Sequence, residues 1–152
     1  MYNKKDKDFT AYCGLYCGDC IPSNQKLFDF AGNLAEELDE RQFDNYAELR
    51  SRKNAIFKEY GIFRKVLSAL IDLRCPKSCI NGGGNPNCEI RKCVREKQFK
   101  GCWECSEFEG CDLLEPLSIA HGRTPRHNLR LIKEYGVESW AEKRGKHYIW
   151  SK

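Results

Sequence analysis

Ten cysteines in a chain of 152 residues constrain what this protein can fold into more than any other feature. They form three clusters, which are Cys13, Cys17 and Cys20; Cys75, Cys79, Cys88 and Cys93; and Cys102, Cys105 and Cys111. The closest pairs are spaced C-x-x-x-C or C-x-x-C. Because so short a loop lets two thiolates point at one ion, these spacings are typical of metal sites. The sequence therefore predicts a metal-binding protein with all ten cysteines as candidate ligands.

Disulfide bonds are the alternative use of the cysteines. The chain begins Met-Tyr-Asn-Lys-Lys-Asp, without the apolar segment of a secretory signal peptide. It also has no apolar run near the ~18 residues that a membrane-spanning helix needs. Both features predict a cytoplasmic protein that does not enter the membrane. Since cytoplasmic thiols stay reduced, metal ligation is favoured over disulfide bonds.

Composition adds two constraints. Hydrophobic residues make up 41% of the chain, but this count includes the ten cysteines, so the apolar core is thin and metal binding is expected to contribute to folding. The 26 basic and 22 acidic residues leave a net charge of only +4, well short of a dedicated nucleic-acid binder. Basic residues gather at 123–133 and 143–152. A solvated helix face is the favoured interpretation there, and nucleic-acid binding is the alternative.

Apolar periodicity predicts helices in the N-terminal half. Apolar residues recur at i, i+3, i+4 and i+7 spacing over 27–38, after Ser23 as a candidate N-cap. A second helix is expected near 43–60 and a third over 62–71. Gly61, which lies between them in Lys-Glu-Tyr-Gly, has the position of a glycine that ends a helix.

The C-terminal half also reads as helical. A short helix is expected over 89–97, with Cys88 at its start, and another over 124–135, with Thr124 as N-cap and Pro125 in the first turn. Gly136 ends a second Lys-Glu-Tyr-Gly, and a last helix over 138–144 precedes an aromatic end at 148–150.

No strand pattern exceeds four residues. We therefore predict a mainly α, small helical domain with loop-rich cysteine metal knuckles. The predicted single domain over 1–152 comprises an N-terminal knuckle and helices (11–73), a cysteine-rich metal segment (74–112) and a helical tail (113–152).

Spacing favours two four-cysteine sites. The members are Cys75, Cys79, Cys102 and Cys105 in one site, and Cys17, Cys20, Cys88 and Cys93 in the other. Cys13 and Cys111 are then left as replacement ligands, neighbouring thiols or buried apolar residues. Because spacing along the chain does not determine pairing in space, other groupings stay open.

Zinc is the favoured ion, since a closed four-cysteine zinc site is structural and has no open position for catalysis. An iron–sulfur cluster is the alternative, because the same ligands suit it. The spacing Cys13-x-x-x-Cys17-x-x-Cys20 is also that of radical SAM enzymes. However, Asp19 stands where those enzymes have an aromatic residue, and this chain lacks the strands of a βα barrel.

No catalytic motif accompanies the cysteines. A nucleophile elbow and a Walker loop are absent, and Gly82-Gly83-Gly84 lacks the Lys-Ser/Thr that a phosphate-binding loop requires. Three histidines show no metal-ligand spacing with the cysteines, and they are His121, His127 and His147. His121 is the best candidate for a substitute ligand. Enzymatic activity is left uncertain, with a non-catalytic role favoured.

Several motifs resemble those of a prokaryotic family of small cysteine-rich proteins of unknown function, which is common in anaerobes. The motifs are Cys13-Gly-Leu-Tyr-Cys17-Gly-Asp-Cys20, Cys88-Glu-Ile-Arg-Lys-Cys93 and Cys102-Trp-Glu-Cys105-Ser-Glu-Phe-Glu-Gly-Cys111. The family's second cluster opens with C-x-x-C, whereas Cys75-Pro-Lys-Ser-Cys79 has one extra residue. The resemblance implies metal binding, with zinc as the expected metal, in a cytoplasmic protein, and it implies no established activity.

These observations predict a metal-binding protein whose zinc is mainly structural and which interacts with an unknown protein partner. The alternative is an iron–sulfur, redox or metal-handling protein of an anaerobe.

Overall fold

The computed structural model describes residues 6–145, and these are mainly helical. Helices hold 68% of the described residues, and no strand occurs among them. One isolated antiparallel bridge joins Thr10 and Tyr16. The predicted mainly α fold is therefore confirmed.

Two kinds of helix occur among the described residues. The α-helices are α1 (Asp6–Phe9), α2 (Gln25–Glu40), α3 (Phe43–Ser51), α4 (Tyr60–Asp72), α5 (Glu89–Glu96), α6 (Ser118–His121) and α7 (Thr124–Tyr135). The 3-10 helices are Cys17–Asp19, Ile21–Ser23, Ala55–Glu59, Cys79–Asn81, Cys102–Glu104, Phe108–Gly110, Asp112–Leu117 and Ala141–Lys143. Among the described residues, no helix combines the length and apolar character needed to cross a membrane.

The chain divides into two compact units. The larger unit combines Met1–Cys20 with Lys77–Lys152, and the smaller unit is Ile21–Pro76. The larger unit thus joins two distant stretches of chain, whereas the three predicted segments follow one another in sequence. The prediction of one domain over 1–152 stays a prediction.

Helices α2, α3 and α4 build the smaller unit. Its buried side chains are few, and they are Phe28, Ala31, Ala47 and Leu67. Two arginines link α2 to the α4 region. Arg64 donates to the carbonyl of Ala35 at 3.3 Å and to Asp39 at 2.5 Å, and Arg74 donates to Asp29 at 2.8 Å. Side-chain hydrogen bonds therefore supplement a small apolar core.

The helix predicted over 27–38 is confirmed as α2, although its N-cap is Asn24, whose side chain accepts from the Leu27 N–H, and not Ser23. The helix predicted over 43–60 is wrong in extent. The α-helix ends at Ser51, and a 3-10 turn capped by Asn54 leads directly into α4. Gly61 therefore lies in the first turn of a helix. Backbone N–H groups have no intrahelical acceptor in that turn.

The core of the larger unit is deeply buried. Its members include Trp140, Leu129, Leu114 and Ile132, each at most 2% exposed. A long-range hydrogen bond links this core to the N-terminal segment. In it, the Trp140 indole N–H donates to the Thr10 hydroxyl at 3.0 Å. The two ends of the described chain are thus held in one unit.

Helix α7 packs closely on the N-terminal loop. The Asn128 amide donates to the carbonyl of Gly14 at 2.8 Å. Gly14 has a φ of +85°, and a side chain there would lie 2.9 Å from the Leu129 side chain and from the carbonyl of Pro125. Only glycine permits both the backbone conformation and this close approach.

Most C-terminal predictions are confirmed in type and corrected in detail. The helix predicted over 89–97 is α5, and the helix over 124–135 is α7. Thr124 is not its N-cap, because the cap position is Arg123 and the buried Thr124 hydroxyl makes no hydrogen bond. Gly136 ends α7 with a φ of +79°, as predicted. The helix expected over 138–144 is only the 3-10 turn Ala141–Lys143, and the aromatic end at 148–150 lies outside the described residues.

Candidate metal centre

Short 3-10 turns position most cysteines of the larger unit. In each of the two C-x-x-C motifs, the second cysteine's N–H donates to the first cysteine's carbonyl, at 3.2 Å for Cys20 to Cys17 and 3.0 Å for Cys105 to Cys102. Cys111 follows a similar turn and donates to the Phe108 carbonyl at 3.3 Å. These turns form locally, so the sequence spacing is sufficient to predict them.

Helix α5 supplies two further thiols. Cys88 is its N-cap residue, and Cys93 lies in its interior. Ile90 and Val94 on the same helix are buried in the core of the larger unit. The burial of this apolar pair orients the helix and thereby the positions of its cysteines.

Cys13 lies in one group of thiols. Its side chain is buried, and burial raises the pKa of the Cys13 thiol to about 12. The N–H of Leu15 lowers this pKa, while the charges of Cys79, Cys102 and Cys88 raise it further. Thiolates so close together repel one another unless a cation compensates their charge.

Cys102 lies in a second group of thiols. Burial raises the pKa of the Cys102 thiol to about 12, and the charges of Cys111, Cys93, Cys105 and Cys88 also raise it. Cys102 and Cys88 are the two residues that belong to both groups. Seven of the ten cysteines are therefore gathered around these two residues, and they are Cys13, Cys79, Cys88, Cys93, Cys102, Cys105 and Cys111.

A cavity of about 450 Å³ opens beside the second group. Four thiols line it, namely those of Cys93, Cys102, Cys105 and Cys111, and its other walls are largely apolar. A small number of polar groups in an apolar concavity is the usual composition of a ligand or cofactor site.

A buried arginine accompanies the first group. Arg91 of α5 is 8% exposed and donates to the sulfur of Cys79 at 3.5 Å and to the carbonyl of Gly83. The backbone at Gly83 approaches Lys77 so closely that a side chain there would collide with the Lys77 carbonyl. The glycine loop, in which sequence analysis found no phosphate-binding motif, thus holds Arg91 beside Cys79.

Three cysteines, Cys17, Cys20 and Cys75, are not among these seven. Cys17 and Cys20 belong to the larger unit, next to Asp19, whose carboxylate accepts two hydrogen bonds from Arg144 at 2.7 and 2.8 Å. Cys75 belongs to the smaller unit, where its carbonyl accepts from Gln25 at 2.9 Å. No disulfide bond joins any of the ten cysteines, all of which lie within residues 6–145.

The gathering of thiols differs from the pairing that spacing favoured. Cys13 belongs to the first group and Cys111 to the second, although both were left over in that pairing. Cys102 has Cys88 and Cys93 beside it. Within residues 6–145, no three His, Cys, Asp or Glu side chains are already arranged around a single ion. Burial lowers the pKa of His121, and its proposed role as a substitute ligand stays a prediction, while His147 is outside the described residues.

Sequence reasoning overlooked Arg91. The available signal was its position in Cys88-Glu-Ile-Arg-Lys-Cys93, three residues after one candidate ligand and two before another. A buried charged side chain is itself unusual. Its contact with Cys79 depends on a loop that the helical pattern does not describe.

Fold and site together define a class, that of mainly α, cysteine-rich proteins in which thiols gather in one unit. Within this class, the chain belongs to the family described as Protein of unknown function (DUF3795), whose model matches residues 9–116. The match includes all ten cysteines and ends before α6. No curated protein and no solved structure matches the chain. A family of unknown function is thereby confirmed, while the individual motif correspondences stay predictions.

Proposed function

We propose that this protein binds metal through the thiols of its larger unit and that the metal stabilises that unit. The observation that carries the proposal is the gathering of seven thiols around Cys102 and Cys88, one of which, that of Cys13, is buried. Sulfur donors of this kind suit zinc and iron–sulfur centres. A bound metal would compensate the charge repulsion among the thiolates and tie together segments that have little regular structure.

Zinc is the first candidate. In a closed site it would be held by four thiolates and would have a structural role. The first group, in which Cys13, Cys79 and Cys88 are joined by Cys102, supplies four such donors. Since no three thiols are already arranged around one ion, side-chain rotations are part of this proposal.

An iron–sulfur cluster is the second candidate, and the cavity favours it. Four thiols around about 450 Å³ surround a larger space than a single tetrahedral ion fills. Clusters are held by cysteine thiolates in sets of four, so Cys93, Cys102, Cys105 and Cys111 form a suitable set. Cys102 belongs to both candidate sets, which makes it the most informative position.

Anaerobic purification of the reduced protein tests both candidates. Elemental analysis and native mass spectrometry give the metal and its stoichiometry, and visible absorption distinguishes a brown iron–sulfur protein from a colourless zinc protein. More than one metal ion per chain is expected, because the thiols exceed what one ion takes. Protein that is fully reduced, freshly purified and free of metal would refute the function.

The predicted role in protein interaction rests on the smaller unit. Of the 14 large hydrophobic side chains exposed among the described residues, 11 lie in Ile21–Pro76. Four apolar residues on α4 and its C-cap follow i, i+4, i+7 and i+11 spacing on one exposed face, namely Ile62, Val66, Ala69 and Leu73. An exposed apolar face of this kind is a candidate interaction surface.

We infer that this face binds a second copy of itself. Lys65 and Asp72 flank the apolar face at a spacing of seven residues. In an antiparallel pair of α4 helices, Lys65 of each copy would lie near Asp72 of the other, and Val66 near Ala69. Because the pair is symmetric, this contact between Lys65 and Asp72 would form twice.

Sedimentation velocity over a range of concentrations tests the self-association. Val66→Glu places a charge in the apolar face and should shift the protein to the monomer. Ser68→Glu, at an exposed position outside that face, is the control and should leave the association unchanged. A wild-type protein that stays monomeric at high concentration would refute the pairing without affecting the metal proposal.

A further inference from the structure

Arg91 is the one charged residue among the buried polar side chains of the described chain. One of its terminal nitrogens donates to the Gly83 carbonyl and to the Cys79 sulfur, and its Nε atom is buried without a hydrogen-bond partner. None of the ion pairs found within residues 6–145 includes Arg91. This guanidinium is therefore buried without a carboxylate.

Burying a cation without a compensating anion is costly, so the position of Arg91 requires an explanation. Cys79 faces it through a hydrogen bond to the sulfur, and Cys88, which is the N-cap residue of the same helix, and Tyr12 also lie near it. Neutral thiols would compensate little of the charge. Thiolates would compensate it well, and thiols become thiolates when they bind metal.

Charge counting strengthens this argument. Four thiolates around one divalent ion leave a net charge of about −2 in a partly buried environment. A guanidinium beside the sulfur atoms offsets part of that charge. Hydrogen bonds to coordinating sulfur are also a recognised means of tuning a metal site.

We propose that Arg91 is the counter-cation of the metal–thiolate centre: it donates to the thiolate of Cys79 and offsets the negative charge of Cys79 and Cys88. The inference depends on the proposed metal binding and deepens it. Arg91 is a positioning residue, since it acts on the ligands and not on the metal itself. Its Nε atom is a further donor for the same group of sulfur atoms.

The test is a Zn²⁺ competition titration against a chromophoric chelator, using the full reduced chain. Arg91→Gln is expected to weaken metal binding by about 10- to 100-fold, the range found for groups that support metal ligands. Arg91→Lys retains the charge and should recover part of the loss. Arg95→Gln, at an exposed position one turn further along the same helix, is the matched control and should bind as wild type does.

The outcomes separate the two proposals. A wild-type chain that binds no Zn²⁺ refutes the metal function. Tight wild-type binding with unchanged affinity in Arg91→Gln refutes the role of Arg91.

A merely structural arginine would lower the thermal stability of the metal-free and metal-loaded chain equally and leave the metal dissociation rate unchanged. The proposal requires faster dissociation from Arg91→Gln than from Arg95→Gln. If Arg91→Gln does not fold, Arg91→Lys decides. A folded lysine variant that binds Zn²⁺, more weakly than wild type, supports the requirement for a positive charge, and a folded lysine variant that binds no metal refutes it.

Discussion

The two units are stabilised in different ways. The smaller unit has three regular α-helices, but only four of its side chains are buried, so helix-to-helix contacts and two arginine links hold it. The larger unit has short helices and turns, yet it contains nine of the ten cysteines and nearly all of the deeply buried core. Regular secondary structure therefore does not indicate where the tertiary interactions are strongest. Irregular turns need distant contacts or bound metal to remain ordered.

Removal of metal should produce the largest difference between the units. A strong chelator under reducing conditions is expected to abolish amide protection across 77–121, because metal affinity is folding free energy in such segments. Protection of α2 and α4 should persist. Hydrogen exchange measured by mass spectrometry resolves both regions. Equal loss of amide protection in both units, or no loss in either, would contradict the proposed difference between them.

Substitution of single cysteines should have the next largest effect. Cys102→Ser is expected to remove at least one metal equivalent, because Cys102 belongs to both thiol groups and a hydroxyl is a poor ligand for soft metals. Cys111→Ser should cost as much metal as Cys105→Ser, since both line the cavity.

Cys75→Ser is the informative comparison from the smaller unit and should retain more metal than Cys102→Ser. Metal content of the purified variants decides the question. If Cys75→Ser loses as much metal as Cys102→Ser, the centre also depends on the smaller unit and the distinction between the units is wrong.

Truncation of buried core side chains should give a smaller difference between the units, measured as loss of unfolding free energy. Trp140→Ala is expected to lower the free energy of unfolding by about 3–5 kcal/mol, as it removes a fully buried aromatic ring and the hydrogen bond to Thr10. Leu67→Ala should cost about 2 kcal/mol, near the lower end for buried leucine, because its surroundings are only partly enclosed. Urea unfolding followed by circular dichroism measures both. A larger loss for Leu67→Ala would reverse the proposed order of core strength.

The smallest expected effect is a pH dependence at His121 in the larger unit. Burial lowers the pKa of His121, so the unfolded chain takes up a proton at higher pH than the folded chain. The stability associated with neutral His121 is present above the ordinary pKa of 6.5 and is lost as the pH falls through the lowered value. His121→Gln should reduce this acid sensitivity slightly. Unfolding curves for both proteins between neutral and mildly acid pH give the difference, and an identical pH profile would contradict the assignment.

Repeated short sequences show where prediction succeeds and where it fails. Lys-Glu-Tyr-Gly occurs twice, and both glycines were predicted to end helices. Gly136 does end α7, with a positive φ and an N–H that donates to the Ile132 carbonyl at 2.9 Å. Gly61 instead lies in the first turn of α4. The difference arises outside the four residues, because Asn54 caps a 3-10 turn that starts a new helix before Gly61 is reached.

The sequence by itself determined the mainly α character, the positions of α2, α5 and α7, and the supply of thiols in close pairs. These features depend on side-chain periodicity and on spacing within one or two turns, which are local properties of the chain. Tertiary structure alone decided which thiols are neighbours, that Cys13 and Cys111 join the gathered set, and that Arg91 is buried against Cys79. The reason is that these contacts connect residues far apart in sequence. Their pairing follows from how Trp140, Asn128 and α5 pack against the N-terminal loop, and no local pattern encodes that packing.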